Sequence, residues 1–359
     1  MLKQLERLGK RAATAVVRKF LRDDARGERP DWRARTYRVL FLRHDRIGDM
    51  ILTTGILRAI AKAYPTIQLD VLASPINAPI LRDEPYVREV VVANTKKPLS
   101  WPHTFAELRR RRYDAVIDCM ITAPSLTTLL LMIASGARYR IGVRQGNDFA
   151  YTLALPPRES AEHLVDKLGA LLAAFGLQPA NTDLRPRVTL SAAERERGER
   201  VWLGAGHPPA GPRLLVNVSA GRPRTQWPDD RFVQVIRDAR ARAPNAEIIV
   251  VSSPRDRERA SDIAEQGGAR HVRDDGIRDA MAIVAASDLV FTPDTSIAHA
   301  ASAFDKPAVV LYSSDYSRVW GPYRTDGRTI ESSTGDVGGI TAEEASRILS
   351  TRFASRSAR

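Results

Sequence analysis

Residues 38–64 run RVLFLRHDRIGDMILTTGILRAIAKAY. Arg38–Leu42 is a short apolar run, and Met50–Tyr64 carries apolar residues at helical spacing. Between them lies a polar turn, Arg43-His44-Asp45-Arg46-Ile47-Gly48-Asp49. A strand that enters a helix through such a turn is the opening unit of a parallel sheet with crossover helices.

The same rhythm continues downstream. Ile67–Leu72, Val87–Val92 and Ala115–Cys119 read as further strands, with helices at Thr104–Arg111 and Ser125–Ala134. It restarts after Gly211-Pro212-Arg213 with a strand at Leu214–Val218 and a helix at Asp230–Ala241. Strands at Glu247–Val251, Leu289–Phe291 and Ala308–Tyr312 follow, with helices at Asp256–Gln266, Ile277–Ala286 and Ile297–Phe304. The fold class expected is therefore α/β, with two doubly wound, Rossmann-like domains at 37–185 and 186–340. A helical Ala161–Phe175 and the Pro-containing Leu177–Pro186 would join them. Two such domains place the C-terminal ends of their strands around a cleft, where ligands of open α/β sheets bind.

The chain ends frame these domains. Residues 1–36 read as a basic amphipathic helix with Leu2, Leu5, Leu8, Ala12, Val16 and Phe20 on one face, passing into a linker at Arg26–Arg35. They hold eleven Lys or Arg against five Asp or Glu, a net of +6 out of the whole chain's +13. Such a segment suits a reversible contact with an anionic membrane surface, or a solvated leader, or packing on another subunit. Residues 341–359 hold a last helix, Ala342–Arg352, with no strand after it.

Composition narrows the chemistry. The chain is 359 residues long and 43% hydrophobic, enough for two cores. Its excess of 55 Lys and Arg over 42 Asp and Glu favours phosphate- or carboxylate-bearing partners. The basic residues lack the aromatic interleaving of a nucleic-acid groove, so no nucleic acid is expected. Cys119 is the only cysteine, which excludes an intrachain disulfide and fits the cytoplasm. The longest apolar stretch, Ala115–Ala137, is broken by Asp118 and Pro124 and does not read as a membrane span. Neither a dinucleotide fingerprint nor a Walker loop is present, since Gly204, Gly206 and Gly211 precede a strand at the wrong spacing.

Three polar clusters fall just after strands. In the first, Gly48 permits close backbone approach or a tight turn, and Asp49 stands where a helix-capping acid would also stand. The second, Ser219 to Pro228, carries Arg222 and Arg224, whose forked guanidinium groups match a diphosphate; a solvated loop is the other reading. Trp227-Pro228 reads as the packed start of the next helix. The third, Thr292-Pro293-Asp294-Thr295-Ser296-Ile297-Ala298-His299, turns into a helix whose first N–H groups form an anion site. Asp294 and Thr295 also suit a cap, and His299 also suits a packed helical histidine.

These clusters, with Ser252-Ser253-Pro254-Arg255-Asp256, resemble glycosyltransferase family 9, the bacterial lipopolysaccharide heptosyltransferases. Asp45-Arg46-Ile47-Gly48-Asp49 followed by Thr53-Thr54 is similar to the family's N-terminal signature. Ser135 to Gly142 and His163-Leu164-Val165-Asp166 resemble its first domain, and Thr292 to Tyr312 resembles its donor-site signature. The likeness runs from about Tyr37 to Tyr323.

The resemblance implies a GT-B fold and an inverting transfer from a nucleotide sugar, ADP-heptose first, onto an anionic glycolipid such as a lipopolysaccharide core. It makes Asp49 the base that takes the acceptor hydroxyl proton, with Arg46 and Gly48 in its loop on the acceptor side. Asp256 matches the acid that binds the donor ribose, while Asp294, Thr295, Ser296 and His299 match the loop that holds the diphosphate. Where the family usually has a Lys two residues before Trp227 this chain has Thr225, so Arg222 or Arg224 would supply that charge. Ser296 stands where many members have Gly, and Gly55 where Pro is common. No Asp-x-Asp motif occurs, so no metal and no cofactor beyond the sugar donor are expected. The resemblance also implies a cytoplasmic enzyme that meets the inner membrane peripherally. A GT-B final helix crosses back onto the first domain, and Ala342–Arg352 would do so here.

Overall fold

The computed structural model describes residue 21 and residues 25–146, 148–203 and 211–357. Of the segment 1–36, read as a basic amphipathic helix and linker with a membrane contact, residues 1–20 and 22–24 lie outside the described residues. The chain divides into two compact units, Met1–Leu184 and Arg185–Arg359.

The first unit contains β1 (Arg38–Arg43), α1 (Ile47–Ala63), β2 (Gln68–Ala73), β3 (Glu89–Val92), α2 (Trp101–Arg110), β4 (Ala115–Asp118), α3 (Leu126–Ser135), β5 (Tyr139–Val143), β6 (Leu153–Leu155) and α4 (Leu164–Leu168). Its six strands are all parallel, in the order β3-β2-β1-β4-β5-β6. Val39 of β1 pairs with Leu69 on one side and Ala115 on the other. The strand is a continuous apolar run because helices cover both faces of a parallel sheet. Neither β5 nor β6 stands out in the sequence as a strand: β5 is short and carries Arg140, and β6 is three residues long.

Two segments differ from expectation. Only Leu164–Leu168 of the expected helix at 161–175 is α-helical, and Gly169–Phe175 tightens into a 3-10 helix ended by Gly176 in the left-handed conformation. Part of the expected linker at Arg26–Arg35 is fixed: the Trp32 ring is buried, stacks on Phe175 at 4.5 Å and donates its N–H to the Ala174 carbonyl. Burying the Trp32 ring removes a large apolar surface from water, which holds the segment on the unit.

The second unit opens with α5 (Ala192–Val201), followed by β7 (Arg213–Asn217), α6 (Asp229–Arg242), β8 (Glu247–Val251), α7 (Arg257–Gly267), β9 (Arg270–His271), α8 (Ile277–Ala285), β10 (Leu289–Pro293), α9 (Ser296–Ala303), β11 (Ala308–Tyr312), α10 (Ser317–Trp320), β12 (Gly327–Glu331) and α11 (Ala342–Ser357). The strand order β12-β11-β10-β7-β8-β9 is the first sheet's order repeated, with β7 in the place of β1. The two-residue β9 and the mostly exposed β12 lack the apolar runs that mark strands in sequence. Trp227, Phe232 and Phe291 meet edge to face in its core, and the Trp227 N–H binds the Ile340 carbonyl. Trp227 therefore packs the start of α6, as its sequence context indicates.

The last helix packs within the second unit along its first turns. Ala342, Ala345 and Leu349 of α11 belong to the second unit's core, and Ser346 Oγ donates to Asp238 of α6 at 2.6 Å. The tie from Trp227 to Ile340 sets the helix down on α6, where its apolar stripe is buried.

Helix α5 is held by a buried ion pair. Ser191 and Glu194 form a reciprocal capping box, and the Glu194 carboxylate also takes hydrogen bonds from Arg278 of α8. The two side chains are 3% and 6% exposed. Gly198 lies against the Ala282 carbonyl, where an added Cβ would come within 2.3 Å of the oxygen. The Arg278 hydrogen bond, opposed by burial and joined by bonds from Ser191, pulls the Glu194 pKa down to about 2. A depressed folded-state pKa gives stability that is full above the carboxyl's ordinary value near 4.5 and is lost as pH falls toward 2. Replacing Glu194 by Ala strands the buried Arg278 and is expected to cost about 3–5 kcal/mol in a denaturant melt near neutral pH. A loss under about 1 kcal/mol would mean that the pair behaves as an exposed one.

Candidate active site

In both sheets the chain direction diverges where the first strand meets the fourth, at β1/β4 and at β7/β10. Loops leaving the C-terminal ends of such a strand pair separate to opposite faces and leave a crevice for ligand. All three polar clusters found in the sequence emerge there.

In the first unit, Arg43 ends β1 with its side chain 1% exposed. Its Nε donates to Thr53 Oγ1 at 2.9 Å and its Nη1 to Asp45 Oδ2 at 3.0 Å, with Asp49 Oδ1 at 4.0 Å. Burial works against the guanidinium charge, but Asp45 and Asp49 outweigh it and raise the pKa further. Arg43 Nη2 and Asp45 Oδ1 are buried without hydrogen-bond partners. Thr53 Oγ1 in turn donates to the Asp49 carbonyl at 2.7 Å, so the turn and the first two turns of α1 form one bonded block.

Asp49 is the third residue of α1 and is buried. The N-cap is Arg46, which makes no side-chain capping bond and is itself exposed. Asp49 is thus a first-turn acid beside a buried arginine and does not occupy the capping position. Gly48 is helical, with no positive φ, so it makes no tight turn. Behind the turn, Asn77 donates to the Arg43 carbonyl at 3.1 Å and accepts from the Ser74 N–H at 2.8 Å, tying the loop after β2 to the end of β1. His44 Nε2 lies 3.2 Å from Thr128 Oγ1, and burial lowers its pKa, which favours the neutral ring.

Asp118, the last residue of β4, is fully enclosed and its pKa rises to about 6, chiefly through burial. It accepts from the Met120 N–H and from the Tyr151 hydroxyl, each at 2.8 Å. Gly142 gives Tyr151 its place, since a Cβ there would lie 2.3 Å from the ring. Sequence reading passes over Arg43, Asn77, Asp118 and Tyr151 as site residues. The one available signal is a charge closing an apolar strand, at Arg43 and again at Asp118; Asn77 and Tyr151 offer none.

In the second unit, three loops are stitched together. Asn217 at the end of β7 donates to Thr292 Oγ1 at 2.9 Å and to Thr295 Oγ1 at 3.1 Å, bridging β7 to β10. Thr295 is the N-cap of α9 and accepts from the Ile297 N–H. The Ser253 N–H donates to Ser219 Oγ at 2.7 Å, and Ser253 Oγ donates to Asp256 at 2.6 Å. For Asp256 burial opposes ionisation, but hydroxyl bonds from Ser253 and Ser219 together with Arg255 prevail and lower its pKa. It closes the 3-10 turn Pro254–Asp256 and stands as the N-cap residue of α7 without a side-chain capping bond. Ser252 Oγ, at the end of β8, is buried with no hydrogen-bond partner.

Arg222 is exposed, whereas Arg224 is half-buried over the Tyr316 ring, 5.4 Å from its centroid, with Nη2 3.4 Å from the hydroxyl. Thr225 is buried and bonded back to the Arg222 carbonyl, so position 225 carries no charge to a ligand here. Asp294 and Ser296 are half-buried at the mouth of α9. His299 is buried one turn further in, its ring 6.4 Å from Trp320. The second unit thus brings together Asp256 and Thr295 through one hydrogen-bonded set of loops, with Asp294, Ser296 and His299 on or beside α9. Among the described residues no group of three His, Cys, Asp or Glu is placed to hold a metal ion.

Residues 102–337 match the sequence profile of glycosyltransferase family 9 (heptosyltransferase). Lipopolysaccharide heptosyltransferase 2 of Salmonella typhimurium is 22% identical, over 83% of this chain and 89% of that protein. Among solved structures, a family 9 glycosyl transferase from Veillonella parvula superposes with a TM-score of 0.78 at 18% identity, covering 89% of this chain and 97% of that one. The ADP-heptose lps heptosyltransferase II of E. coli gives 0.72 at 20% identity, over 89% and 99%. The two sheets are accordingly the Rossmann-like halves of a GT-B fold, and the protein is a glycosyltransferase. With the profile spanning well over half its length, the chain belongs to glycosyltransferase family 9, the heptosyltransferases.

Proposed function

We propose that the chain transfers heptose from ADP-heptose onto a lipopolysaccharide core or similar anionic glycolipid, with inversion and without a metal, at the cytoplasmic face of the inner membrane. The observation that carries the reading is Asp49, set in the first turn of α1 against the buried Arg43 at the strand divergence of the first sheet. The named relatives, one a lipopolysaccharide heptosyltransferase and one an ADP-heptose enzyme, support the acceptor and the donor. No helix among the described residues is long and apolar enough to cross a membrane.

In this mechanism the Asp49 carboxylate takes the proton of the acceptor hydroxyl as its oxygen attacks the anomeric carbon. The bond from that carbon to the diphosphate breaks, the electron pair leaves with ADP, and a single displacement inverts the centre. Negative charge growing on the diphosphate meets the first N–H groups of α9, the Ser296 hydroxyl and the guanidinium of Arg222 or Arg224. Asp256 holds the ribose, and Asp294 and His299 shape the diphosphate loop. Arg46 and Gly48 belong to the acceptor-side turn.

Asp49→Asn keeps shape and removes the proton acceptor, so transfer is expected to fall roughly 10²–10⁴-fold with donor affinity nearly unchanged. Retention of more than about a tenth of the wild-type rate would exclude Asp49 as the base. Transfer is expected to continue in a chelator; activity lost there and restored by magnesium would overturn the metal-free mechanism. In thermal-shift titrations ADP should stabilise the protein more than UDP, GDP or CMP, and Asp256→Ala should weaken ADP by about 1.5–3 kcal/mol. Equal affinity in that variant would return Asp256 to a helix-start role.

A further inference from the structure

Among the described residues four large hydrophobic side chains stand exposed: Ile76 at 54%, Val92 at 55%, Leu99 at 97% and Tyr316 at 39%. Scattered single residues of this kind are ordinary on a protein surface. Three of these four lie on or just after two neighbouring strands. Val92 is the last residue of β3, Ile76 lies in the loop after β2, and Leu99 lies in the loop after β3. Since Ala73 pairs with Val92 across the two strands, both loops leave one corner of the first sheet.

The loop carrying Leu99 is built, not slack. Lys97 N–H donates to the Asn94 carbonyl, Ser100 N–H to the Lys97 carbonyl, and Ser100 Oγ to the carbonyls of Asn94 and Lys97 at 3.0 and 2.8 Å. Trp101 is anchored behind it by a bond from its ring N–H to the Thr95 carbonyl and by the Phe105 ring. A loop bonded this way presents Leu99 to solvent while its backbone stays satisfied. Beside it Lys96 and Lys97 are exposed and have no carboxylate partner among the described residues.

We propose that this corner, Ile76, Val92 and Leu99 with Lys96 and Lys97, docks on an anionic lipid bilayer. A protein partner needs about 1,000 Å² or more of complementary surface. A bilayer instead accepts single apolar side chains at its headgroup boundary and attracts neighbouring lysines. The corner lies on the same C-terminal edge of the sheet from which the turn after β1 leads to Asp49, two strands away. Docking therefore presents that edge to a lipid-linked acceptor; this consequence rests on the function proposed above, whereas bilayer binding itself does not.

The test is co-sedimentation of the full chain with vesicles of phosphatidylcholine alone and of phosphatidylcholine with phosphatidylglycerol, without donor or acceptor. Leu99→Ser is expected to lower partitioning onto both vesicles roughly 10-fold or more. The double change Lys96→Gln, Lys97→Gln is expected to lower it about 30-fold on anionic vesicles and to leave neutral vesicles unaffected. Melting temperature and transfer to a short water-soluble acceptor should match wild type in both variants, because these side chains are exposed. Wild-type binding by both variants, or no vesicle binding by the wild type, overturns the docking corner. Absence of transfer to any soluble acceptor in the wild type would instead overturn the proposed function and leave the vesicle result standing.

Discussion

The buried guanidinium of Arg43 is the constraint around which the first unit's working edge is organised. A charge that is 1% exposed is tolerated only if carboxylates and hydroxyls surround it, and the turn after β1 supplies them from Asp45, Thr53 and Asp49. The position of Asp49 follows from this: its neighbour across 4.0 Å ends a strand in the middle of the sheet, and its own backbone carbonyl is bonded to Thr53. The helix, the turn and the strand end are thereby joined by side-chain bonds. Asn77 extends the block to the loop after β2.

At its own strand divergence the second unit is held together without an arginine. Its strand divergence is spanned by neutral groups, Asn217 with Thr292 and Thr295, which hold the start of α9 against the end of β7. These bridging groups carry no charge, and the α9 N-terminus that they hold favours an anion, with Asp294 immediately before its cap. Asp256 sits apart, one loop over, ionised through hydroxyls and Arg255. One sheet order thus carries an edge that presents a carboxylate and another that presents backbone N–H groups.

Much of this was legible in the sequence. Apolar runs marked β1, β2, β3, β4, β7, β8, β10 and β11, because strands covered by helices need continuous apolar residues. Strands β5, β6, β9 and β12 escaped for the opposite reason: they are short or lie toward the sheet edges, where Arg140, Arg270 and Glu331 are tolerated. The polar clusters were found, since turns after strands are visible as breaks in hydrophobicity. Their supporting groups were not, because a bond such as Tyr151 to Asp118 joins residues 33 apart that no local pattern links.

The seat of Arg224 on Tyr316 has a consequence for how tightly the loop after β7 can grip. An arginine free in solvent surrenders much of its rotamer freedom on meeting an anion, a cost set against every contact it makes. Here the guanidinium already lies across a ring that belongs to the loop after β11, so much of that freedom is gone before any ligand arrives. The buried Thr225 beside it fixes the backbone from below. Under the proposed function, an anion reaching this loop would meet a guanidinium already seated on an aromatic residue 92 positions away, so preorganisation takes the place of reach.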